Sequence, residues 1–410
     1  MGVSFVRILY VTPLWAGLED VIYSGKEEPR GMPAFFYPLK KLISLGHHVD
    51  LLIASPYVKR PLNVGARWLR ESEICVVWWS LRGAQQVLSP LRFFAEIMKA
   101  ISRKRYDFIY CHGSIGTIGN LAAIVCGVPC GMRLYGTFLL SELRSSGLFA
   151  TWIKHPLECA AFKLRKSFLI MTNDGTRGDS VYRQLASAKP QYDFYFLLNG
   201  VDKTAMNGLL AEYNGLERQI PRDRYLFYPA RMVRWKRQHL ALDVLWLLDQ
   251  KGYHDITLLF AGHISDQAYW AEIREEASRR NLSDRVCHLG VLSRNELFSY
   301  YQAALGVLSL YDFANLGNVT IEALCAGAIV IAWDDGSLNG VIESGVNGIL
   351  INSPEQAAEH IVALIEDPQK ARAMRNCAKA QAAKLFPSWE ERSLMEVQLI
   401  HRATNSAPTY

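Results

Sequence analysis

The sequence predicts an α/β protein built of two Rossmann-like domains facing across a cleft, and three observations carry that expectation. Short runs rich in Val, Ile, Leu and Tyr alternate with helix-length amphipathic segments along most of the chain, the pattern of parallel strands joined by crossover helices. The chain has 410 residues, more than one core normally serves. The alternation breaks once, from Asp202 to Arg224, where a polar stretch with Gly208, Gly215 and Pro221 reads as a linker. A polar break in mid-chain fits two halves better than one closed barrel.

In the first half, RILYVTP is a strand, the segment near Met32 to Leu45 a helix ended by Gly46, and HVDLLIASP the next strand. ICVVWWS, a basic helix near Leu91 to Arg103, DFIYCHG, a small-residue helix near Gly116 to Cys126, and PCGMRLYG follow. SFLIMTN and YFLLNGVD close this half. The second half repeats the theme with YLFYPAR, a helix near Gln238 to Asp249, ITLLFAG, a helix near Asp266 to Arg280, RVCHLG, a helix near Asn295 to Ala303 and GVLSLYD. A helix near Asn318 to Ala326, AIVIAWDD, GILI and helices near Pro354 to Leu385 complete it. The expected limits are residues 1–203 for the first domain, 204–223 for the linker and 224–388 for the second domain. The segment 389–410 is expected to be a last helix that packs back on the first domain.

Composition excludes several classes. Hydrophobic residues at 50% and charged residues at 20% rule out disorder and coiled coil, and 29 Gly with 16 Pro rule out collagen-like repeats. Lys and Arg exceed Asp and Glu by 45 to 39, a net charge of +6, too mild for a dedicated nucleic-acid binder. The eight cysteines form no CxxC pair and read as reduced core thiols of a cytoplasmic protein. The start, MGVSFVRILYVTPLW, has no small-residue cleavage site, and the apolar runs are broken before they reach spanning length, so membrane contact is expected to be peripheral.

Ligands of open α/β sheets sit beyond the C-terminal ends of strands. In the second half Arg231 and Lys236 follow YLFYPA, Gly262 follows ITLLFA, and Gly317, Asn318 and Val319 open a helix that carries Glu322. A guanidinium fork and an ammonium next to a helix start make a diphosphate site, and a carboxylate one turn further in suits ribose hydroxyls. In the first half His112 ends DFIYC, and its near-neutral pKa would suit hydrogen bonding to a sugar or positioning of an acceptor. Arg133, Tyr135 and Asn173 also follow strands and are weaker candidates for the acceptor side.

ARMVRWK, the AGH turn, GNVTIEALCAGAIVIA and GVIESGVNGILI together resemble the C-terminal domain of the retaining glycosyltransferases of family 4, which have the GT-B fold. RILYVTP, LGHHVDLLIASP, YDFIYCHG and LLNGVD resemble the same family's acceptor domain. The resemblance implies transfer of a sugar from a UDP or GDP sugar to a glycan or lipid-linked acceptor, in envelope polysaccharide or glycoconjugate synthesis. It implies retention and no metal, and no DxD motif of metal-dependent transferases is present. It assigns the donor diphosphate to Arg231, Lys236 and the amides of Asn318 and Val319, and the ribose to Glu322. The family has a second glutamate where this chain has Ala314, leaving Asp312 or Asn315 to meet the sugar; Tyr135 replaces a common His, and Gly340 a common acidic residue. Alternative readings are a catalytically impaired nucleotide-sugar binder and a nucleotide-sugar epimerase of the same architecture.

The segment Leu91 to Arg105 has Phe94, Ile97, Met98 and Ile101 at helical spacing among basic residues. An ordinary packed helix and a helix lying on the inner membrane surface both fit that pattern. The stretch Arg67 to Arg82, with Trp68, Trp78 and Trp79, is a second aromatic and basic candidate for a lipid-linked acceptor.

Overall fold

The computed structural model describes residues 5–15, 17–27, 33–57, 66–80, 82–186, 191–202 and 224–405. The expected linker, 204–223, lies outside them. The chain divides into two compact units, one of residues 1–173, 177–200 and 389–410, the other of residues 174–176 and 201–388.

Unit 1 holds a parallel sheet of β1 (Arg7–Pro13), β2 (His48–Ser55), β3 (Ile74–Trp78), β4 (Phe108–His112), β5 (Cys130–Leu134), β6 (Phe168–Thr172) and β7 (Asp193–Leu197), in the order 3-2-1-4-5-6-7. Its crossovers are α1 (Leu18–Ser24), α2 (Pro33–Ser44), α3 (Gln85–Arg103), α4 (Gly116–Cys126), α5 (Leu139–Lys154), α6 (Pro156–Lys163) and α7 (Gly178–Leu185). Every position of β4, β5 and β6 is buried, as a sheet covered on both faces requires, so these strands read as continuous apolar runs. The sequence expectation lacked α1, α5, α6 and α7. Three of these are no longer than eight residues, and α5 is interrupted at Gly147, whose φ is 76°, so none shows a sustained helical period.

Unit 2 holds β8 (Tyr225–Pro229), β9 (Thr257–Ala261), β10 (Val286–His288), β11 (Gly306–Ser309), β12 (Val330–Trp333) and β13 (Ile349–Ile351), parallel in the order 10-9-8-11-12-13. Its helices are α8 (Gln238–Gln250), α9 (Gln267–Arg279), α10 (Arg294–Ala303), α11 (Asn318–Cys325), α12 (Pro354–Glu366) and α13 (Pro368–Leu385). The last helix, α14 (Trp389–Asn405), belongs to unit 1, where Val397, Leu399 and Ile400 join the core on the face that holds Ile8, Tyr10 and Tyr110.

Of the two readings of the α3 stripe the structure shows the packed crossover helix, and the aromatic stretch before it turns partly inward. Phe93 and Ile97 of α3 are fully buried, and Phe94, Met98 and Ile101 pack against the same core, so this apolar stripe faces the sheet. Trp79 is buried in that core as well, and Trp78 is half-buried at the end of β3. The physical reason is topological: α3 is the crossover between β3 and β4, and a crossover must spend its apolar face on the sheet.

Candidate functional site

In each sheet the strand order reverses at one point, and the loops leaving the two central strands diverge there to leave a crevice. In unit 2 the reversal lies between β8 and β11. The loop after β8 carries Arg231 and Lys236, and the loop after β11 carries Asp312. The amide of Asp312 donates to the carbonyl of Trp235 at 3.0 Å, which ties the two loops together.

Lys236 is held from three sides. Its carbonyl accepts from the hydroxyl of Tyr228, and its ammonium lies 3.9 Å from the ring centroid of Trp235 and 3.2 Å from that of Tyr311. Burial, followed by the positive charge of Arg231, pushes the amine down to about 7. Arg231 itself is exposed, with its backbone fixed by Gln238, whose amide donates to the Arg231 carbonyl at 2.7 Å. Gly262 has φ 131°, and a Cβ there would stand 2.5 Å from the carbonyl oxygen of Ala230. Its first role is therefore to let the end of β9 approach the chain that presents Arg231.

The loop after β11 is built around Asn315, which is fully buried. Its Oδ1 accepts from Ser309 Oγ at 2.9 Å and from the Tyr311 amide at 3.1 Å, and its Nδ2 donates to the Tyr311 carbonyl at 3.1 Å. That side chain braces the loop, which corrects its expected contact with a sugar. Ala314 sits in the left-handed region at φ 58°, and Asp312 stays exposed with Arg237 3.9 Å away. Of the two substitutes for the missing carboxylate, Asp312 alone keeps its oxygens outside the loop's own bonding.

Gly317 precedes α11 with open space on its Cβ side. The first-turn amides, those of Asn318 and Val319 included, point out of the helix start as in any α-helix. Glu322, one turn in, has its carboxyl pushed up to about 7 by burial, with Arg294 opposing the rise and Asp202 adding to it. Arg294 is fixed at the first turn of α10 by a capping box, in which the amide of Ser293 donates to Glu296 at 2.7 Å, and it pairs with Asp202 at 3.3 Å.

In unit 1 the reversal lies between β1 and β4, and His112 ends β4. His112 and the hydroxyl of Tyr135 share a 2.8 Å hydrogen bond through Nδ1, and Nε2 has no partner among the described residues. The imidazole stacks on Tyr10 at 4.6 Å. Burial, then the charge of Arg133, holds its pKa well below 6.5, so His112 is neutral at pH 7 and the near-neutral pKa expected of it is corrected.

Arg133 is also corrected, from an acceptor contact to a fully buried ion pair with Glu396 of α14. Its guanidinium lies 5.0 Å from the Tyr135 ring centroid. Arg392 reaches the same carboxylate at 2.9 Å, and Tyr110 donates to it at 2.6 Å. Burial works against both cations; Glu396 more than offsets this for Arg133, while Arg392 stays lowered. Asn173 closes β6, where its amide donates to the Leu197 carbonyl at 2.8 Å.

Four neighbours of the candidate residues escaped the sequence reading. Trp235 and Tyr311 flank Lys236; the RWK run was the only signal for Trp235, and Tyr311 reads as the end of a strand. Arg392 and Glu396 sit one turn apart on a helix whose other charges are solvated, so nothing in the pattern marks them as buried.

Comparison with known proteins completes this picture. Residues 217–381 match the family description "Glycosyl transferases group 1". The D-inositol 3-phosphate glycosyltransferase 1 of Catenulispora acidiphila is 36% identical over 295 residues, which is 70% of each chain. The alpha-D-kanosaminyltransferase of Streptomyces kanamyceticus is 24% identical over 365 residues, 82% of this chain and 90% of that one. Anabaena Alr3699/HepE, solved in complex with UDP, superposes with a TM-score of 0.67 at 19% identity, covering 97% of this chain and 100% of its own. The chain belongs to the group 1 glycosyl transferases and has the GT-B fold, which makes it an enzyme that transfers a sugar from a nucleotide sugar.

Proposed function

We propose that the enzyme is a retaining, metal-independent glycosyltransferase that moves a hexose-type sugar from a UDP or GDP sugar to a glycan or lipid-linked acceptor, in envelope polysaccharide or glycoconjugate synthesis on the cytoplasmic face of the membrane. The observation that carries this reading is the cationic pair at the unit 2 reversal point: Lys236 boxed by Trp235 and Tyr311, beside the exposed Arg231. The UDP in the Anabaena complex favours a uridine donor.

In the reaction, the acceptor oxygen forms a bond to C1 of the sugar while the bond from C1 to the diphosphate breaks. The acceptor proton passes to the departing diphosphate. Charge therefore grows on the diphosphate, and Arg231, Lys236 and the start of α11 meet it with donors fixed in advance. Neutral His112 serves as a hydrogen-bonding group for the sugar, Glu322 binds the ribose, and Asp312 meets sugar hydroxyls in place of the carboxylate absent at Ala314.

Among the described residues no helix is long and apolar enough to cross a membrane. The lipid-facing surface we assign instead to the first turns of α3 and to α5, where Val87, Leu91, Phe149 and Ile153 are exposed beside Arg92 and Lys154. Incubation with UDP-glucose and GDP-mannose in the presence of a chelator tests the function. One of the two should release its nucleotide diphosphate in an acceptor-dependent manner at a rate that added Mg2+ leaves unchanged; full dependence on Mg2+ would contradict the proposal.

A further inference from the structure

Unit 1 has a cavity of about 590 Å3 that plays no part in the reading above. It lies at the N-terminal edge of the sheet, where Cys130, Phe168 and Asp193 begin β5, β6 and β7. Because the strands are parallel, this edge is a whole strand length, about 15 Å, from the edge where His112 ends β4. Its volume falls in the range of small-molecule sites, about 300–1,000 Å3.

Three features of the lining point to the class of ligand. Arg165, Lys166 and Arg402 line the cavity against one carboxylate, that of Asp193. Lys166 is only 6% exposed, and among the described residues it enters no ion pair: its ammonium donates to the Leu164 carbonyl and lies 4.1 Å from the ring centroid of Tyr192. A cation so enclosed normally has an anionic partner, and burial lowers this amine to about 8. Asn120 is fully buried on the same wall; its Nδ2 donates to the Arg165 carbonyl at 2.9 Å, whereas its Oδ1 lacks a donor among the described residues. Ile124, Val128 and Leu399 supply an apolar wall, and Ser167, Gln191 and Tyr195 are polar groups elsewhere in the lining.

We propose that this cavity binds a phosphate monoester with a short apolar body, the head held by Lys166 with Arg165 and Arg402 and the body lying on Ile124, Val128 and Leu399. A monoester with a second pKa of about 6 carries a P–OH in its monoanionic form, roughly a quarter of the molecules at pH 6.5, and that form can donate to Asn120 Oδ1. An ionised carboxylate has no such donor, which selects phosphate over a fatty acid. The ligand bridges strands β5 to β7 and α14, on the edge of the sheet away from the sugar-transfer residues of unit 1, and so acts as an effector rather than a substrate.

Calorimetric titration of the full chain with hexyl phosphate at pH 6.5, against hexanoate and inorganic phosphate, tests this. Hexyl phosphate is expected to bind at least about tenfold more tightly than either. Lys166→Met should weaken it a further tenfold or more, Lys166→Arg should restore part of the affinity, and Arg231→Ala should leave it unchanged. Arg402→Gln, at an exposed position, should weaken binding severalfold and decides the matter if Lys166→Met fails to fold. No binding up to about 10 mM, equal binding of hexanoate, or loss in Arg231→Ala with none in the Lys166 or Arg402 variants would overturn the proposal.

Discussion

Replacing Arg231 with Ala is expected to lower kcat about 100- to 1,000-fold, the cost of one preorganised donor at a developing charge, about 2.7–4 kcal/mol. Lys236→Ala should act on the same scale, because in the proposed reaction the two cations meet the same departing diphosphate. The conservative changes separate shape from charge. Arg231→Lys keeps the charge and loses the fork, so it should recover only part of the rate, whereas Lys236→Arg must fit a larger head between Trp235 and Tyr311. Steady-state kinetics with the cognate sugar nucleotide provide the check. A rise in KM with kcat unchanged would show that Arg231 holds substrate and transition state equally.

Glu396→Ala is expected to destabilise unit 1 by about 3–5 kcal/mol, because it strands two buried guanidinium groups without a counter-charge. Arg133 and Arg392 are 0% and 1% exposed, and Glu396 is their one carboxylate among the described residues. For a domain of this size the loss corresponds to roughly 6–20 °C in Tm, read by calorimetry. The triple replacement of Arg133, Arg392 and Glu396 by apolar residues should cost less than Glu396→Ala alone, since it removes every stranded charge together. A shift of under about 1 kcal/mol for Glu396→Ala would mean that water reaches the cluster and that the last helix is held by its apolar contacts alone.

The two predictions differ in how far the sequence exposes their residues. Arg231, Lys236, Gly262 and Glu322 follow strands or open helices at spacings that a linear reading can detect, and the structure presents the first three just after β8 and β9 and Glu322 within α11. The strands themselves were legible because both faces of each sheet are covered, which leaves continuous apolar runs. Burial was the part that spacing did not reveal. Arg133 and Asn315 look like exposed strand-end groups, yet each is consumed by partners that come from packing: Glu396, 263 residues away, for the first, and its own loop for the second. The same blindness applies to His112, whose neutrality comes from burial among aromatic rings and from Arg133, none of it visible along the chain. In α3 periodicity identified the apolar face without saying what covers it, and the need for a crossover between β3 and β4 was the clue that pointed to the sheet, where Phe93 and Ile97 are buried.

We propose that a bound donor diphosphate draws a proton from solvent onto Lys236. In the free enzyme its amine is lowered to about 7, so at pH 7 roughly half of the molecules carry the proton. A bound dianion raises the amine's pKa, and binding must then take up protons; affinity should fall as pH rises through 7 and upward, by at most tenfold per unit. Calorimetry of UDP binding at pH 7, repeated in buffers of different ionisation enthalpy, measures this directly. The account predicts uptake of about half a proton in the native enzyme and the disappearance of that uptake in Lys236→Arg, whose side chain is charged throughout. Equal proton uptake in the two proteins, or UDP binding that Lys236→Ala leaves intact, would contradict it.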